Sequence, residues 1–126
     1  MKLHADQPES HSITAYGEGW IAVNGQRHPN SLMLSSSTGP AVWPCQRFED
    51  LRPAHFEQLL AHADEAPELL LLGSGARLRF VHPNLLQCLM VRRIGIETMD
   101  TAAACRTFNI LAGEGRRVLA GLLVEA

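Results

Sequence analysis

The stretch Leu69-Leu70-Leu71-Leu72-Gly73-Ser74-Gly75 decides the fold of this chain. Four consecutive leucines leave no polar face, so a strand formed by them must be covered on both sides, as in the centre of a helix-covered sheet. Pro67 before the leucines and the Gly-Ser-Gly after them mark the two ends of the strand. The stretch therefore predicts a buried central strand.

Two further apolar stretches follow the central strand, each after a segment with a helical pattern. They are Ile94–Met99 and Val118–Val124. The lengths of the connections between the three strands favour parallel pairing. We therefore predict an α/β fold of three layers, whose mixed central sheet contains a parallel βαβαβ unit in the C-terminal half of the chain.

Short alternating segments separated by turn residues occupy the first third of the chain. The predicted strands are His11–Tyr16, Trp20–Val23, Gln26–His28 and Ser31–Ser35. Asn24-Gly25 is a strong hairpin signal, because a type I′ turn needs positive φ at both central residues. We predict an N-terminal antiparallel β-meander. Residues 1–10 are polar and aperiodic, so we expect a flexible N-terminus followed by a single α/β domain over 11–126.

Three segments have the apolar spacing of amphipathic helices. The first is Arg52–Ala63, the second begins at Pro83, and the third runs from Asp100 or Thr101 to about Ala112. Asp100 can cap the third helix, because its carboxylate accepts hydrogen bonds from free amides of the first turn. We expect the apolar residues of the helices and of the buried strands to form one cluster.

Composition and charge restrict the class of protein. The chain has 126 residues, 46% of them hydrophobic and 19% charged, with a net charge of -2. This balance argues against a general affinity for nucleic acid. No apolar stretch approaches the roughly 18 residues of a transmembrane helix, so we expect no membrane insertion. Three widely separated cysteines and the lack of an export signal indicate reduced thiols, and we predict a cytoplasmic location.

The Gly-Ser-Gly turn after the central strand is the first candidate site. A glycine-rich turn at this place is typical of dinucleotide binding, and Glu97 lies about twenty residues on, where an acid that binds ribose belongs. However, the third glycine position holds Leu78, and the next helix begins only at Pro83. No helix N-terminus would then face a phosphate at the glycines. We favour a tight exit turn that lines a crevice at the end of the strand.

Histidines and cysteines show no metal or nucleophile pattern. His55 and His62 are two turns apart on the first helix, too far for the i, i+4 spacing of a zinc helix. Cys105 lies near the positive end of the third helix, but its alanine and phenylalanine neighbours indicate a buried, inert thiol. Ser74 lacks the GxSxG context of a hydrolase nucleophile. We predict no metal and no cofactor.

Polar side chains are dense around the start of the third helix. Capping by Asp100 and an ion pair between Arg106 and an acid would account for this density. Alternatively, the polar residues form a recognition patch at the crevice. We predict a binding surface made of the crevice rim and the exposed face of the third helix. Its residues are Gly73, Ser74, Gly75, Arg79, Glu97, Arg106 and Asn109.

Several motifs of the chain resemble a known family. The run Gly95–Asn109, which contains MDTAAACRTFN, and the run Glu114–Val118 carry most of the resemblance. Upstream matches are Tyr16–Gly19, Val23–Gly25, Ser31-Leu32 and Gly73–Gly75. These motifs resemble the family called domain of unknown function four-nine-eight, which includes mitochondrial assembly factors and small bacterial and archaeal relatives. The resemblance implies a three-layer α/β fold with an accessory β-portion, and it supplies no established catalytic residues.

The resemblance also implies a function. The mitochondrial members are similar to assembly chaperones that act through protein contacts, so we predict a non-catalytic interaction or assembly module with a protein partner. The alternative is a small-molecule-binding protein or an enzyme that uses the crevice near Gly73–Gly75 and Glu97. The sequence leaves open the identity of the partner and whether the chain forms a homo-oligomer.

Overall fold

The computed structural model describes residues 11–125. The flexible N-terminus predicted for residues 1–10 lies outside this range. The strands are β1 (Ile13–Gly17), β2 (Trp20–Val23), β3 (Gln26–His28), β4 (Leu32–Ser35), β5 (Ala41–Val42), β6 (Leu69–Gly73), β7 (Gly95–Met99) and β8 (Val118–Leu122). The α-helices are α1 (Pro53–His62), α2 (Gln87–Val91) and α3 (Thr101–Gly113).

The larger of two sheets has five strands in the order β5-β4-β8-β6-β7. Strand β6 pairs in parallel with β7 on one side and with β8 on the other, whereas β4 pairs antiparallel with β8. The four leucines of β6 thus lie in a central strand. The mixed sheet with a parallel βαβαβ unit is confirmed.

The two faces of the larger sheet bury separate clusters. On one face, Leu71 packs in a cluster with Phe108 of α3 and with Ile13 of the smaller sheet. On the other face, Leu70 packs in a cluster with Phe56 of α1 and with residues of α2. The prediction of one cluster is wrong, because successive side chains of a strand point to opposite faces. The fold therefore has three layers, with α1 and α2 on one side and α3 with the smaller sheet on the other.

The smaller sheet consists of β1, β2 and β3 in antiparallel order. Asn24 and Gly25 join β2 to β3 with φ values of 50° and 86°, as a type I′ turn requires. The meander is confirmed for these three strands. Its predicted fourth strand, Ser31–Ser35, lies instead in the larger sheet as β4. The reason is that β8 is entirely buried, so its backbone groups need a hydrogen-bonded neighbour on each side.

The second helix is shorter than its sequence pattern indicated. Pro83–Leu86 forms a 3-10 turn, and the Nδ1 atom of His82 caps it by accepting from the amide of Asn84 at 3.1 Å. The last residue of this turn has φ -109° and ψ 15°, so the regular α-helix covers only Gln87–Val91. A long loop over 74–82 therefore separates β6 from these turns.

Candidate functional site

The carboxyl ends of β6 and β8 meet the start of α3 at Thr101. The amide of Thr101 donates to the carbonyl of Gly75 at 2.9 Å. Its Oγ1 accepts from the amide of Gly75 at 2.9 Å and donates to the carbonyl of Leu123 at 2.7 Å. A single side chain therefore joins the segments that follow two strands to the first turn of a helix.

Asp100 caps the same helix end. Its Oδ1 accepts from the amide of Ala103 at 2.8 Å, and its own backbone is extended. This carboxylate satisfies one of the amides that have no partner within the helix. The predicted cap is confirmed.

We expect Asp100→Ala to lower the free energy of unfolding by about 0.5–2 kcal/mol, because the first turn loses its side-chain acceptor. Urea denaturation measures the change. Asp100→Asn is the matched control, since an amide oxygen also caps helices well and should retain most of the stability. Should Asp100→Ala keep its stability while partner binding disappears, Asp100 belongs to a recognition site.

A positive φ and close packing explain the two glycines of the Gly-Ser-Gly turn. Gly75 has a φ of 103°, a conformation that other residues rarely adopt. A Cβ atom added to Gly73 would lie 3.0 Å from the Cα atom of Thr101. The amide of Gly75 already has Thr101 as its acceptor. The turn is therefore a tight exit from β6, and its geometry serves the packing of α3 rather than the binding of a phosphate.

Ser74 and Arg79 are engaged inside the loop that follows β6. Ser74 is fully buried, and its Oγ donates to the carbonyl of Arg77 at 2.7 Å and accepts from the amide of Arg79 at 3.0 Å. The guanidinium of Arg79 donates to the carbonyl of Ser74 at 2.6 Å and to the carboxylate of Glu125 at 2.5 Å. It also lies over the ring of Phe48, 4.7 Å from the centroid. Both side chains therefore hold the loop in place.

Sequence reasoning missed Glu125, the acid that organises this loop. One of its carboxylate oxygens accepts from Arg79, and the other accepts from the amide of Phe48 at 2.8 Å. Only 19% of the Glu125 side chain is exposed. A single acid after an apolar strand carries no signal for a partner 46 residues earlier.

A groove of about 180 Å³ opens at the carboxyl end of the parallel strands. Its walls are the turn between β1 and β2 (Tyr16–Ile21), the start of α3 (100–102), and the residues that follow β6 and β8 (75–76 and 123–125). The crevice is thus present at the predicted end of the sheet. Of the seven predicted surface residues, Gly75 alone lines it. Sequence reasoning missed that the hairpin turn forms one wall.

The turn between β1 and β2 (Tyr16–Ile21) forms what we call the hairpin wall of the groove. Two arginine–aromatic pairs lie along this wall. Arg106 donates to the hydroxyl of Tyr16 at 2.7 Å, and the guanidinium carbon of Arg27 lies 3.7 Å from the ring centroid of Trp20. Both arginines are exposed. The hydrogen bond with Tyr16 raises the pKa of Arg106, which stays a cation. Arg106 therefore pairs with a tyrosine at the rim, and not with an acid as the sequence suggested.

Neither Asn109 nor Glu97 lines the groove. Asn109 accepts from the amide of Ile13 at 2.8 Å through Oδ1, and donates to the carbonyl of Ile13 at 2.7 Å through Nδ2. The Asn109 side chain thus hydrogen-bonds to both backbone groups of Ile13, as a neighbouring strand would. These two bonds attach α3 to the smaller sheet. Glu97 is exposed on β7 at the edge of the larger sheet. Among the predicted surface residues, only Gly75 and Arg106 contribute to the groove or its rim.

The cysteines are poorly disposed to act as nucleophiles. Burial raises the pKa of the Cys105 thiol to about 12, so this thiol is neutral at physiological pH. The burial predicted for Cys105 is confirmed. Burial also raises the pKa of Cys45 and of Cys88.

Residues 11–125 contain neither a cluster of metal-ligating side chains nor a membrane-spanning helix. Within this range, no group of three or more His, Cys, Asp or Glu side chains is arranged to hold a metal ion. None of the helices in the same range is long and apolar enough to cross a membrane.

The chain is similar to proteins from mammals and bacteria. It is 30% identical over 123 residues to NADH dehydrogenase (ubiquinone) 1 alpha subcomplex assembly factor 3 of Bos taurus, covering 96% of this chain and 65% of that protein. It is 35% identical over 111 residues to an uncharacterized protein of Rhodobacter capsulatus, covering 88% of this chain and 82% of that protein. The chain thus spans slightly less than two thirds of the length of the bovine relative.

The chain is also similar to a protein of known structure, and it matches a protein family. The crystal structure of a Bordetella parapertussis protein superposes with a TM-score of 0.85 at 39% identity, covering 92% of this chain and 97% of that one. The family described as protein of unknown function (DUF498/DUF598) matches residues 13–123. This chain belongs to that family.

Proposed function

We propose that this chain acts as an assembly factor, which binds a partner protein at the groove and does not catalyse a reaction there. The observation that carries the proposal concerns the hairpin wall. There Arg106 donates to the hydroxyl of Tyr16, and the guanidinium of Arg27 lies over the ring of Trp20. Trp, Tyr and Arg supply a large share of the dominant residues in protein interfaces. The names of curated relatives support the role, since several are called assembly factors of NADH dehydrogenase.

The size of the groove supports a protein side chain as its occupant. Pockets that enclose a drug-sized ligand have volumes of about 300–1,000 Å³, whereas this groove has about 180 Å³. Trp20, Ile21, Leu123 and Val124 make much of its lining apolar. We infer that the partner inserts an apolar or aromatic side chain and presents an acidic group to Arg106 and Arg27.

Affinity purification of the chain at native expression tests the proposal. We expect Arg106→Glu to lower the yield of the partner about tenfold or more, because it removes a rim cation and repels the acidic group of the partner. The midpoint of thermal unfolding should change little, since Arg106 is exposed and exposed substitutions alter stability by about 0.5 kcal/mol or less. Mass spectrometry of the captured proteins measures the yield.

Arg93→Glu is the matched control. Arg93 is also exposed, carries the same charge, and lies before β7, at the opposite end of the parallel strands from the groove. This variant should retain the partner. Equal losses in the two variants would show that net charge, and not the rim, governs capture.

The small-molecule and enzyme alternative predicts different results. It requires a small molecule that copurifies with the wild-type chain, or a turnover that disappears in Glu97→Gln or Cys105→Ser variants of normal stability. Either finding would contradict the non-catalytic role. The cytoplasmic location stays a prediction, and the same purification identifies the partner.

A further inference from the structure

Strand β7 leaves one side of the larger sheet open. Among the described strands it pairs with β6 alone, in a regular register over five residues. It contains no proline and no bulge, two devices by which natural proteins protect an edge strand, and Glu97 is the one charged residue in it. The strand at the other edge, β5, has only two residues. The backbone of β7 is therefore the longer surface onto which another strand can be added.

The backbone groups of Ile96 and Thr98 point to this open side. The carbonyl of Met99 accepts from the amide of Ser74 at 2.8 Å, so Met99 directs its backbone polar groups toward β6. This direction alternates from residue to residue along a strand. Ile96 and Thr98 consequently turn two N–H and two C=O groups away from β6, where no described strand lies.

Glu97 determines the chemistry of the open edge. It is aligned with Leu71, whose side chain belongs to the cluster on the α3 face, so Glu97 projects on that face and is exposed. Ile96 projects on the opposite face and packs against the cluster of α1 and α2. Opposite charges on directly opposed residues stabilise a strand pair, and like charges destabilise it. An added strand fits best with a basic residue opposite Glu97 and with apolar neighbours beside Ile96.

A second copy of the chain fits this edge less well. Full antiparallel overlap of two β7 strands places Ile96 of each copy against Thr98 of the other. Glu97 then lies opposite Glu97, in a pair without mutual hydrogen bonds, where Cα atoms approach to about 4.5 Å. Repulsion between the two carboxylates disfavours self-pairing.

We propose that β7 binds an extended segment of another protein by strand addition, and that this segment carries a lysine or arginine opposite Glu97. Backbone hydrogen bonds to Ile96 and Thr98 supply affinity, and Glu97 selects for the charge of the segment. This surface is separate from the groove, whose lining does not include β7.

Two synthetic heptapeptides test the proposal. Both alternate valine and threonine and have blocked ends, and the central residue is lysine in one and glutamate in the other. We expect both to shift the amide resonances of residues 94–99, with the lysine peptide binding about fivefold more tightly. The preference should reverse in a Glu97→Lys variant.

Thr98→Pro tests the backbone contact, because proline removes one outward N–H group. Edge strands tolerate proline where the N–H faces solvent, so the variant should fold and lose the peptide. A lysine peptide with N-methyl groups on alternate amides makes the same test on the unaltered chain. The Arg106→Glu variant should bind the lysine peptide as the wild type does, which separates this surface from the groove.

Four results would overturn the proposal. The first is that neither peptide binds, and the second is that both bind with equal affinity. The third is that the resonance shifts occur at the hairpin wall of the groove instead of at β7. The fourth is self-association of the wild-type chain that Thr98→Pro abolishes. The last result would assign the edge to a second copy of the chain.

Discussion

Phe108→Ala is expected to lower the free energy of unfolding by about 3–5 kcal/mol, a large part of the roughly 5–15 kcal/mol that stabilises a domain. Phe108 is fully buried, in the cluster that joins α3 to Leu71 of β6 and to Ile21 of the smaller sheet. Removing the ring costs its transfer free energy and also leaves a cavity. Urea denaturation followed by circular dichroism measures the change.

Ile110→Ala is the matched control on the same helix. The Ile110 side chain is 60% exposed, so its truncation should change stability by about 0.5 kcal/mol or less. Leu71→Ala, on the strand beneath α3, should destabilise by about 2–5 kcal/mol. Denaturation midpoints of Phe108→Ala and Leu71→Ala equal to that of the wild type would refute the packing of α3 against β6.

Arg79→Ala is expected to destabilise the fold by about 3 kcal/mol, the lower end of the range for breaking a buried ion pair. The side chains of Arg79 and Glu125 are 17% and 19% exposed. Removing the guanidinium leaves the Glu125 carboxylate without its cation and the carbonyl of Ser74 without this donor. The lower end of that energy range applies because water still reaches about a fifth of each side chain.

A double-mutant cycle with Glu125→Gln isolates the pairwise part of this effect. The combined Arg79→Met and Glu125→Met replacement should cost less than Arg79→Ala, since it leaves no unpaired buried charge. Arg77→Ala, at an exposed arginine of the same loop, should be close to neutral. If Arg77→Ala and Arg79→Ala destabilise equally, the ion pair does not hold the loop.

Local patterns in the sequence predicted most elements of the fold, because each depends on a few neighbouring residues. The leucines of β6 predicted a central strand, since four apolar side chains in succession cannot face water. Asn24-Gly25 predicted its hairpin through the positive φ that both residues adopt. Asp100 predicted where the third helix begins.

The arrangement of these elements was harder to predict. The apolar pattern of Leu32–Ser35 indicates a strand but does not say which strand pairs with it, and only the burial of β8 places it in the larger sheet. Likewise, the pattern after Pro83 indicates a helix without showing that a 3-10 turn takes up its first residues. Strand pairing and helix length depend on packing against distant parts of the chain.

The sequence by itself determined the α/β class, the central strand and the cap at Asp100, which follow from periodicity and from contacts within a few residues. Only the tertiary structure decided the roles of the candidate site residues. It engages Arg79 with Glu125 and Asn109 with the backbone of Ile13, and it brings Tyr16 to Arg106 at the rim of the groove. These partners are 46, 96 and 90 residues apart. Hydrogen bonds over such separations depend on how the layers pack, and therefore leave no periodic signal in the sequence.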